Sequence, residues 1–228
     1  DVESRGLGDV YKRQECTHEY WRSNGKFTPN ITLRLASGGY IGGGLYHSQN
    51  LEGALTTLPG ARIVCPSFAD DAAGLLRTSM RSKGFTLYLE PKALYNSVEA
   101  AAVVPEEFEV PFGKARIRRE GTDLTIITYG NTTHFCLDVA ERLAREGVGS
   151  VEVIDLRSLI PLDKEAIFAS VRKTGKVMVV HEDKVFSGFG AEIAAQIAGE
   201  MFRYLDAPVQ RVGSTFTPVG FNPILERA

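Results

Sequence analysis

The sequence has few cysteines, no excess of either charge and no long apolar run. Its three cysteines, Cys16, Cys65 and Cys136, form an odd set without a Cys-x-x-Cys pair, which argues against a disulfide framework or a structural zinc site. The 26 Lys and Arg residues against 28 Asp and Glu residues give a net charge of −2, and no basic run indicates a nucleic-acid partner. The apolar stretches fall short of the ~20 residues of a membrane helix, and no charged leader precedes one. We therefore expect a soluble, unsecreted protein in a reducing compartment, without nucleic-acid or membrane partners.

The pattern of apolar residues predicts an α/β fold. From residue 31 onward, short β-branched runs alternate with helical patterns, which is typical of parallel sheets covered by helices. The predicted strands are 31–36, 61–66, 85–91, 124–130, 151–156, 176–183 and 209–213. The predicted helices of the second half are about 133–146, 164–173 and 191–205.

A further helix is predicted between the second and third strands. Ser67 is followed three residues later by Asp70, which matches a capping box. The residues predicted to form the inward face of this helix are Ala72, Leu75, Leu76, Ser79 and Met80. The strand, helix and strand together predict a β-α-β unit.

The helices of the second half have apolar faces of their own. The buried face of helix 133–146 is predicted to contain Cys136, Val139, Ala140 and Leu143. That of helix 191–205 is predicted to contain Ala194, Ile197, Ala198, Met201 and Leu205. His134 lies in the polar first turn of its helix, where we expect it to be solvated.

Composition also divides the chain. Residues 1–14 mix glycine with charge and lack an apolar period, so we expect an artefactual or disordered leader. Residues 97–112 carry two prolines and a cluster of acids, which predicts a linker between a domain at 15–96 and a domain at 113–228. The last residues, 224–227, have the pattern of a helix start without a stop signal. Both ends indicate a fragment.

The glycine-rich segment GGYIGGGLYHSQN (38–50) is the most distinctive local feature. It matches neither of the glycine patterns that bind phosphates at a helix N-terminus. Glycines let a backbone adopt positive φ and approach a neighbour closely, so this loop could present His47, with Tyr46, Ser48 and Gln49 as orienting partners. An imidazole so placed can donate or accept a proton. The alternative is a tight turn with a structural histidine.

A second candidate site follows the predicted strand 176–183. His181 ends its apolar part, and Gly188 and Gly190 lead into the next helix. These glycines predict either an anion site at a helix N-terminus or a capped turn. Glu182 and Asp183 are adjacent in a strand and point to opposite faces, so we assign them no chemistry.

Several segments together closely resemble one enzyme family. They are YWRSNGKF (20–27), GGYIGGGLYHSQN (38–50), LEPKALY (89–95), GKAR (113–116), LTIITYG (124–130), VIDLR (153–157) and GFGAE (188–192). They are similar to the β subunit of the thiamine-diphosphate-dependent 2-oxo acid dehydrogenase E1 component. The run LYHSQ (45–49) distinguishes this family from transketolase and deoxyxylulose phosphate synthase. The resemblance implies the C-terminal part of a thiamine-binding pyrimidine-type domain, followed by a transketolase-type C-terminal α/β domain.

The resemblance also implies a role for His47. In the family this histidine lines the active site where the acyl group passes to the lipoyl group of the E2 acyltransferase. The implied cofactors are thiamine diphosphate and magnesium, held by the E1 α subunit or by an earlier part of a fused chain. The family's catalytic glutamate lies upstream of this sequence, so the isolated chain is expected to be inactive.

The family's potassium ion implies a site at Ile31 and Thr32. The turn that completes that site has Asp and Asn in the family, whereas this chain has Arg81-Ser82-Lys83-Gly84-Phe85. A missing hard carboxylate and an added lysine weaken the case for a cation there.

The implied activity is oxidative decarboxylation of a branched-chain 2-oxo acid, with pyruvate as the alternative substrate. The implied partners are the E1 α subunit, a second β subunit and E2, in a bacterial cytoplasm or a mitochondrial matrix. A non-catalytic module for assembly or E2 docking is the alternative from another functional class.

Overall fold

The computed structural model describes residues 7–226, with side chains from residue 14 onward. The N-terminal part contains α1 (Leu7–Arg22), β1 (Ile31–Ser37), α2 (Gly44–His47), α3 (Glu52–Leu55), β2 (Ala61–Val64), α4 (Ala69–Arg81) and β3 (Phe85–Pro91). The C-terminal part contains β4 (Arg116–Arg119), β5 (Leu124–Thr128), α5 (Thr132–Arg145), β6 (Val151–Asp155), β7 (Ser158–Ile160), α6 (Lys164–Thr174), β8 (Val177–Lys184), α7 (Phe189–Met201), β9 (Gln210–Ser214) and α8 (Pro223–Glu226). Short 3₁₀ helices follow β3 and α7, at Lys92–Leu94 and Phe202–Tyr204.

Two sheets organise the chain. The first has the order β1-β3-β2-β7, with β1 and β2 parallel to β3 and β7 antiparallel to β2. The second has the order β4-β6-β5-β8-β9, in which only β4 runs antiparallel to its neighbour. β7 comes from the C-terminal part but is an edge strand of the first sheet. It therefore joins the two parts of the chain.

The hydrophobic core is continuous between the two parts. One cluster contains Leu87 and Leu89 of β3, Ile127 of β5, Leu159 of β7 and Ile193 of α7, all fully buried. Strands between two helical layers are expected to be buried on both faces, and β6 is buried along its whole length, including its two acids, Glu152 and Asp155.

A buried ionic cluster also joins the two parts. Asp71 of α4 pairs with Arg118 of β4, and its Oδ1 accepts a bond of 2.8 Å from Nη1 of Arg157. Arg118 also donates to Asp155 at 2.8 Å, and its guanidinium lies 3.9 Å from the ring centre of Phe68. Buried charges are tolerated only when paired in this way, so the cluster fixes α4 against the second sheet.

The predicted helix start at Ser67 is wrong. The N-cap residue of α4 is Phe68, which makes no side-chain cap bond. The hydroxyl of Ser67 instead lies 2.9 Å from Oδ1 of Asp155 and 2.9 Å from the hydroxyl of Thr133. This serine therefore binds across the two parts of the chain, a long-range contact that a local motif does not register.

Three predicted helix faces also need correction. Ala198 was expected on the buried face of α7 but is exposed. Met80 was expected on the inward face of α4 but is 73% exposed. Val139 of α5 is partly exposed as well. His134 was expected to be solvated, yet it is buried, with Nε2 2.7 Å from the carbonyl oxygen of Ser67. The N-terminal part covers the first turn of α5 and buries this ring.

The segments predicted as a leader and as a linker have different structures from each other. α1 runs continuously from Leu7 through residue 14, while residues 1–6 lie outside the described range. Residues 97–112 contain no helix or strand, but Val110 is buried beside Leu75. The domain boundaries stay a prediction. No helix among residues 7–226 is both long and apolar enough to cross a membrane.

Candidate active site

The glycine loop, residues 38–49, follows the carboxyl end of β1 and carries His47. The loop is closed by a bond of 3.2 Å from the Gly38 amide to the Gln49 carbonyl oxygen. His47 ends the four-residue helix α2, and its side chain is exposed in the isolated chain, whereas Ser48 is buried. The loop therefore holds the imidazole at the molecular surface.

The glycines are required by both backbone conformation and space. Gly38, Gly42 and Gly44 have φ of +87°, +67° and +56°, the left-handed region that only glycine adopts without cost. A Cβ atom on Gly43 would lie 2.8 Å from Cβ of His47. The glycine run thus permits the tight helical turn that presents His47.

The loop's amide groups bind carboxylates of the same chain. Gly39 donates to Oε1 of Glu182 at 2.5 Å, Tyr40 to Oε1 of Glu226 at 2.6 Å and Gly42 to Oε2 of Glu226 at 3.3 Å. Because these donors are taken, the loop does not fit a diphosphate cradle. At the other end of the loop, Nζ of Lys92 donates to the carbonyl oxygen of His47.

Glu182 is half-buried at the base of the loop. Burial raises the pKa of its carboxyl group, and the bond from the Gly39 amide opposes that shift. The neighbouring Asp183 points elsewhere, toward Gly53 of α3, where an added Cβ would lie 3.1 Å from its Oδ2. No local pattern links Glu182 with the loop, since 143 residues separate it from Gly39.

A buried acid, Glu52, lies behind the loop. It is 3% exposed, and its carboxylate accepts bonds from the Tyr129 hydroxyl at 3.2 Å and the Leu51 amide at 3.1 Å. Burial, reinforced by the charge of Asp183, raises the pKa of Glu52 to about 7. Glu52 could not be predicted as a site residue because the surrounding segment NLEGAL has neither a strand nor a helix period.

The glycines that follow β8 make room for His181. This imidazole is 1% exposed and stacks on the Tyr129 ring at 6.3 Å between centroids. A Cβ atom on Gly190 would lie 2.4 Å from the ring, and one on Gly188 would lie 2.7 Å from it. Burial lowers the pKa of His181, which favours the neutral ring. These glycines give the buried ring its space, and Gly188 is the N-cap residue of α7. The choice between an anion site and a capped turn stays a prediction.

The residues predicted to bind potassium lie on β1. Ile31 donates its amide to the Gly84 carbonyl at 3.3 Å, and Gly84 donates to Oδ1 of Asn30 at 3.0 Å. Within the described range, no group of three or more His, Cys, Asp or Glu side chains is arranged to hold a metal ion. Backbone carbonyl groups can also bind potassium, so the site at Ile31 and Thr32 stays a prediction.

Comparison with known proteins places these features in one family. Residues 113–228 match the family model for the transketolase C-terminal domain. The pyruvate dehydrogenase E1 component subunit beta of Staphylococcus epidermidis is 41% identical over 226 residues, which cover 97% of this chain and 69% of that protein. The chain belongs to the family of 2-oxo acid dehydrogenase E1 β subunits. The expected fold class and the resemblance found in the sequence are both confirmed.

Other E1 β relatives bear different substrate names. The 2-oxoisovalerate dehydrogenase subunit beta of Bacillus subtilis is 40% identical over 208 residues, or 91% of this chain. The chain spans 63% of the length of that relative. A solved structure titled split gene transketolase, inactive beta4 tetramer, has a TM-score of 0.68 at 22% identity, and the match covers 94% of this chain and 68% of that one. This last likeness concerns the fold alone.

Proposed function

We propose that the chain acts within an E1 assembly that decarboxylates a branched-chain 2-oxo acid oxidatively and transfers the acyl group to the lipoyl group of E2. The observation that carries this proposal is the position of His47. Its imidazole is exposed at the end of a glycine loop whose backbone is bonded at several points to the rest of the chain. A fixed backbone beneath an accessible imidazole suits a proton donor or acceptor at a site shared with a partner.

His47 has a defined task in this proposal. Acyl transfer opens the S–S bond of the lipoyl dithiolane, so one sulfur must gain a proton, while the hydroxyl of the acyl donor must lose one as its carbonyl forms. An imidazole can serve both proton transfers. Bound thiamine diphosphate supplies the carbanion chemistry of decarboxylation.

The cofactor and partners follow from the same proposal. The glycine loop binds carboxylates of the same chain, and the glycines after β8 pack against His181. We therefore assign the diphosphate and magnesium to an E1 α subunit or to an earlier part of a fused chain. A second β subunit and E2 are further partners, and potassium at Ile31 and Thr32 is an added structural ion. The proposed location is a bacterial cytoplasm or a mitochondrial matrix, and the isolated chain is proposed to be inactive.

Pyruvate is the second candidate substrate. The chain is 41% identical to a pyruvate dehydrogenase β subunit and 40% identical to a branched-chain relative, so sequence identity supports the two substrates equally. Acyl-pocket residues contributed by partners would decide between the two substrates.

A steady-state assay tests the proposal. The intact α and β assembly, with the region upstream of this sequence included, is loaded with thiamine diphosphate and magnesium, and initial rates are measured with 2-oxoisovalerate and with pyruvate. We expect a kcat/KM at least tenfold higher for 2-oxoisovalerate, since the loss of two methyl groups from a pocket that fits them is worth that much or more. A preference for pyruvate would replace the branched-chain assignment. Stable assembly without turnover of either substrate would favour a non-catalytic module for assembly or E2 docking.

A further inference from the structure

Two acidic side chains of the C-terminal part hold the first half of the glycine loop. Glu182 extends from β8 and accepts the Gly39 amide at 2.5 Å. Glu226 extends from α8 and accepts the amides of Tyr40 and Gly42 at 2.6 and 3.3 Å. Hydrogen bonds to an ionised acceptor are about twice as strong as neutral ones, so these contacts are well suited to fix a backbone.

The loop is shaped to receive these acids. Gly38 has φ of +87°, and a Cβ atom there would lie 2.7 Å from Oε1 of Glu182. The chain segment that precedes α8 also approaches the loop, because a Cβ atom on Gly44 would lie 3.0 Å from the ring of Phe221. The close approach is therefore built into both the loop and the C-terminal part.

The N-terminal part alone gives the loop less support. Within that part, the loop is closed by the bond between Gly38 and Gln49, and Lys92 holds the carbonyl group of His47. The amides of residues 39, 40 and 42 are all bonded to the C-terminal part. The segment that leads into α2 thus takes its position from acids more than 140 residues away.

We propose that Glu182 and Glu226 are positioning residues for His47, which makes the geometry of the imidazole depend on the C-terminal part. This inference rests on the proposed function of His47. Neither acid need touch the substrate. Each acts through the loop backbone, whose tilt sets the direction of α2 and hence of the imidazole at its end.

Amide hydrogen exchange on the assembled protein tests the contacts directly. We expect Glu182→Ala to speed exchange at Gly39 about tenfold, and Glu226→Ala to do so at Tyr40 and Gly42, because one hydrogen bond is worth about a factor of ten in local opening. Glu182→Gln keeps a carbonyl acceptor, so it should restore part of the protection. The exposed Glu141 of α5 supplies the control variant, Glu141→Ala. Unchanged exchange at all three amides in the alanine variants would overturn the inference.

A pair of glycine variants tests the same contact from the side of the loop. Gly38→Ala and Gly42→Ala impose similar left-handed strain, since both glycines have positive φ. Only the first puts a methyl group against Glu182, because nothing lies within 4 Å of a Cβ atom on Gly42. We expect faster exchange at Gly39 in Gly38→Ala than in Gly42→Ala. Equal exchange in the two variants would contradict the proposed role of Glu182.

An activity ratio separates this inference from the proposed function. The ratio compares the rate of lipoyl-domain acylation with the rate of reduction of an artificial acceptor. We expect the ratio to fall about tenfold in Glu182→Ala, in step with lost loop order, and to recover partly in Glu182→Gln. An unchanged ratio in Glu182→Ala, together with a reduced ratio in His47→Ala, would overturn the positioning role and leave the proposed function standing. An unchanged ratio in His47→Ala would overturn both.

Discussion

Replacing Glu52 with glutamine tests the electrostatics behind the glycine loop. This carboxyl group is 3% exposed and has Asp183 as a charged neighbour. Its pKa is raised from 4.5 to about 7, so the folded chain binds the proton more tightly than the unfolded chain does. The stabilisation from that proton is fully present below pH 4.5 and is lost as the pH rises through about 7.

The size of the effect follows from the shift. A change of about 2.5 pKa units corresponds to roughly 3 kcal/mol, since one unit is worth 1.36 kcal/mol. Most of this loss of stability occurs between pH 5 and pH 8. Glutamine does not titrate, so Glu52→Gln should not lose stability in this way as the pH rises. Relative to the wild type, the variant should gain roughly 2–3 kcal/mol in free energy of unfolding between pH 5 and pH 8.

The assay is urea unfolding of both proteins at pH 5 and pH 8. The free energy of unfolding of the variant minus that of the wild type is obtained at pH 5 and at pH 8, and the two differences are compared. The loss from the altered bonds to Tyr129 and Leu51 is the same at both pH values, so it cancels in this comparison. Glu141→Gln, on the exposed face of α5, is the matched control and should show no such pH dependence. If the difference between Glu52→Gln and wild type stays constant within about 0.5 kcal/mol, the reasoning about burial is refuted.

Three further variants test the packing through denaturant unfolding. Gly190→Ala should destabilise by about 1–3 kcal/mol because its methyl group would lie 2.4 Å from a buried imidazole. Gly199→Ala in the same helix has open space and should stabilise by about 0.5–1 kcal/mol; equal effects would contradict this packing. Arg118→Ala leaves two buried carboxylates short of a partner and should cost about 3–5 kcal/mol, whereas Arg81→Ala, in an exposed ion pair, should cost much less. Leu75→Ala empties a fully buried site and should cost about 2–5 kcal/mol; a loss below about 1 kcal/mol would refute its core position.

Much of the fold could be predicted from local patterns. The runs ITLRLA and FTLYLEP became β1 and β3 within one residue of the expected bounds, because β-branched and aromatic residues fit a buried pleated surface. The charged strand β4 and the three-residue strand β7 were missed. β4 reads RIRR, and one of its arginines is buried only because distant carboxylates pair with it. Such pairing is a property of the tertiary fold.

The candidate site was predictable only in part. The loop and its histidine stood out because glycines at this density constrain the backbone locally. The acids that bind the loop were not predictable, since Glu182 and Glu226 meet it across more than 140 residues. The role of the glycines after β8 stayed open between two alternatives for a related reason. A close contact with an imidazole and a contact with an anion both require glycine, and the sequence pattern does not distinguish them.

The central claim is that His47 serves acyl transfer, and the two half-reactions of the assembled enzyme test it most directly. We predict that His47→Ala lowers lipoyl-domain acylation about 10²-fold, the usual scale for one acid-base group, and largely spares decarboxylation measured with an artificial acceptor. His18→Ala, at an exposed position in α1, is the histidine control and should leave both rates unchanged. Equal losses in both half-reactions of His47→Ala, or none in either, would contradict the account.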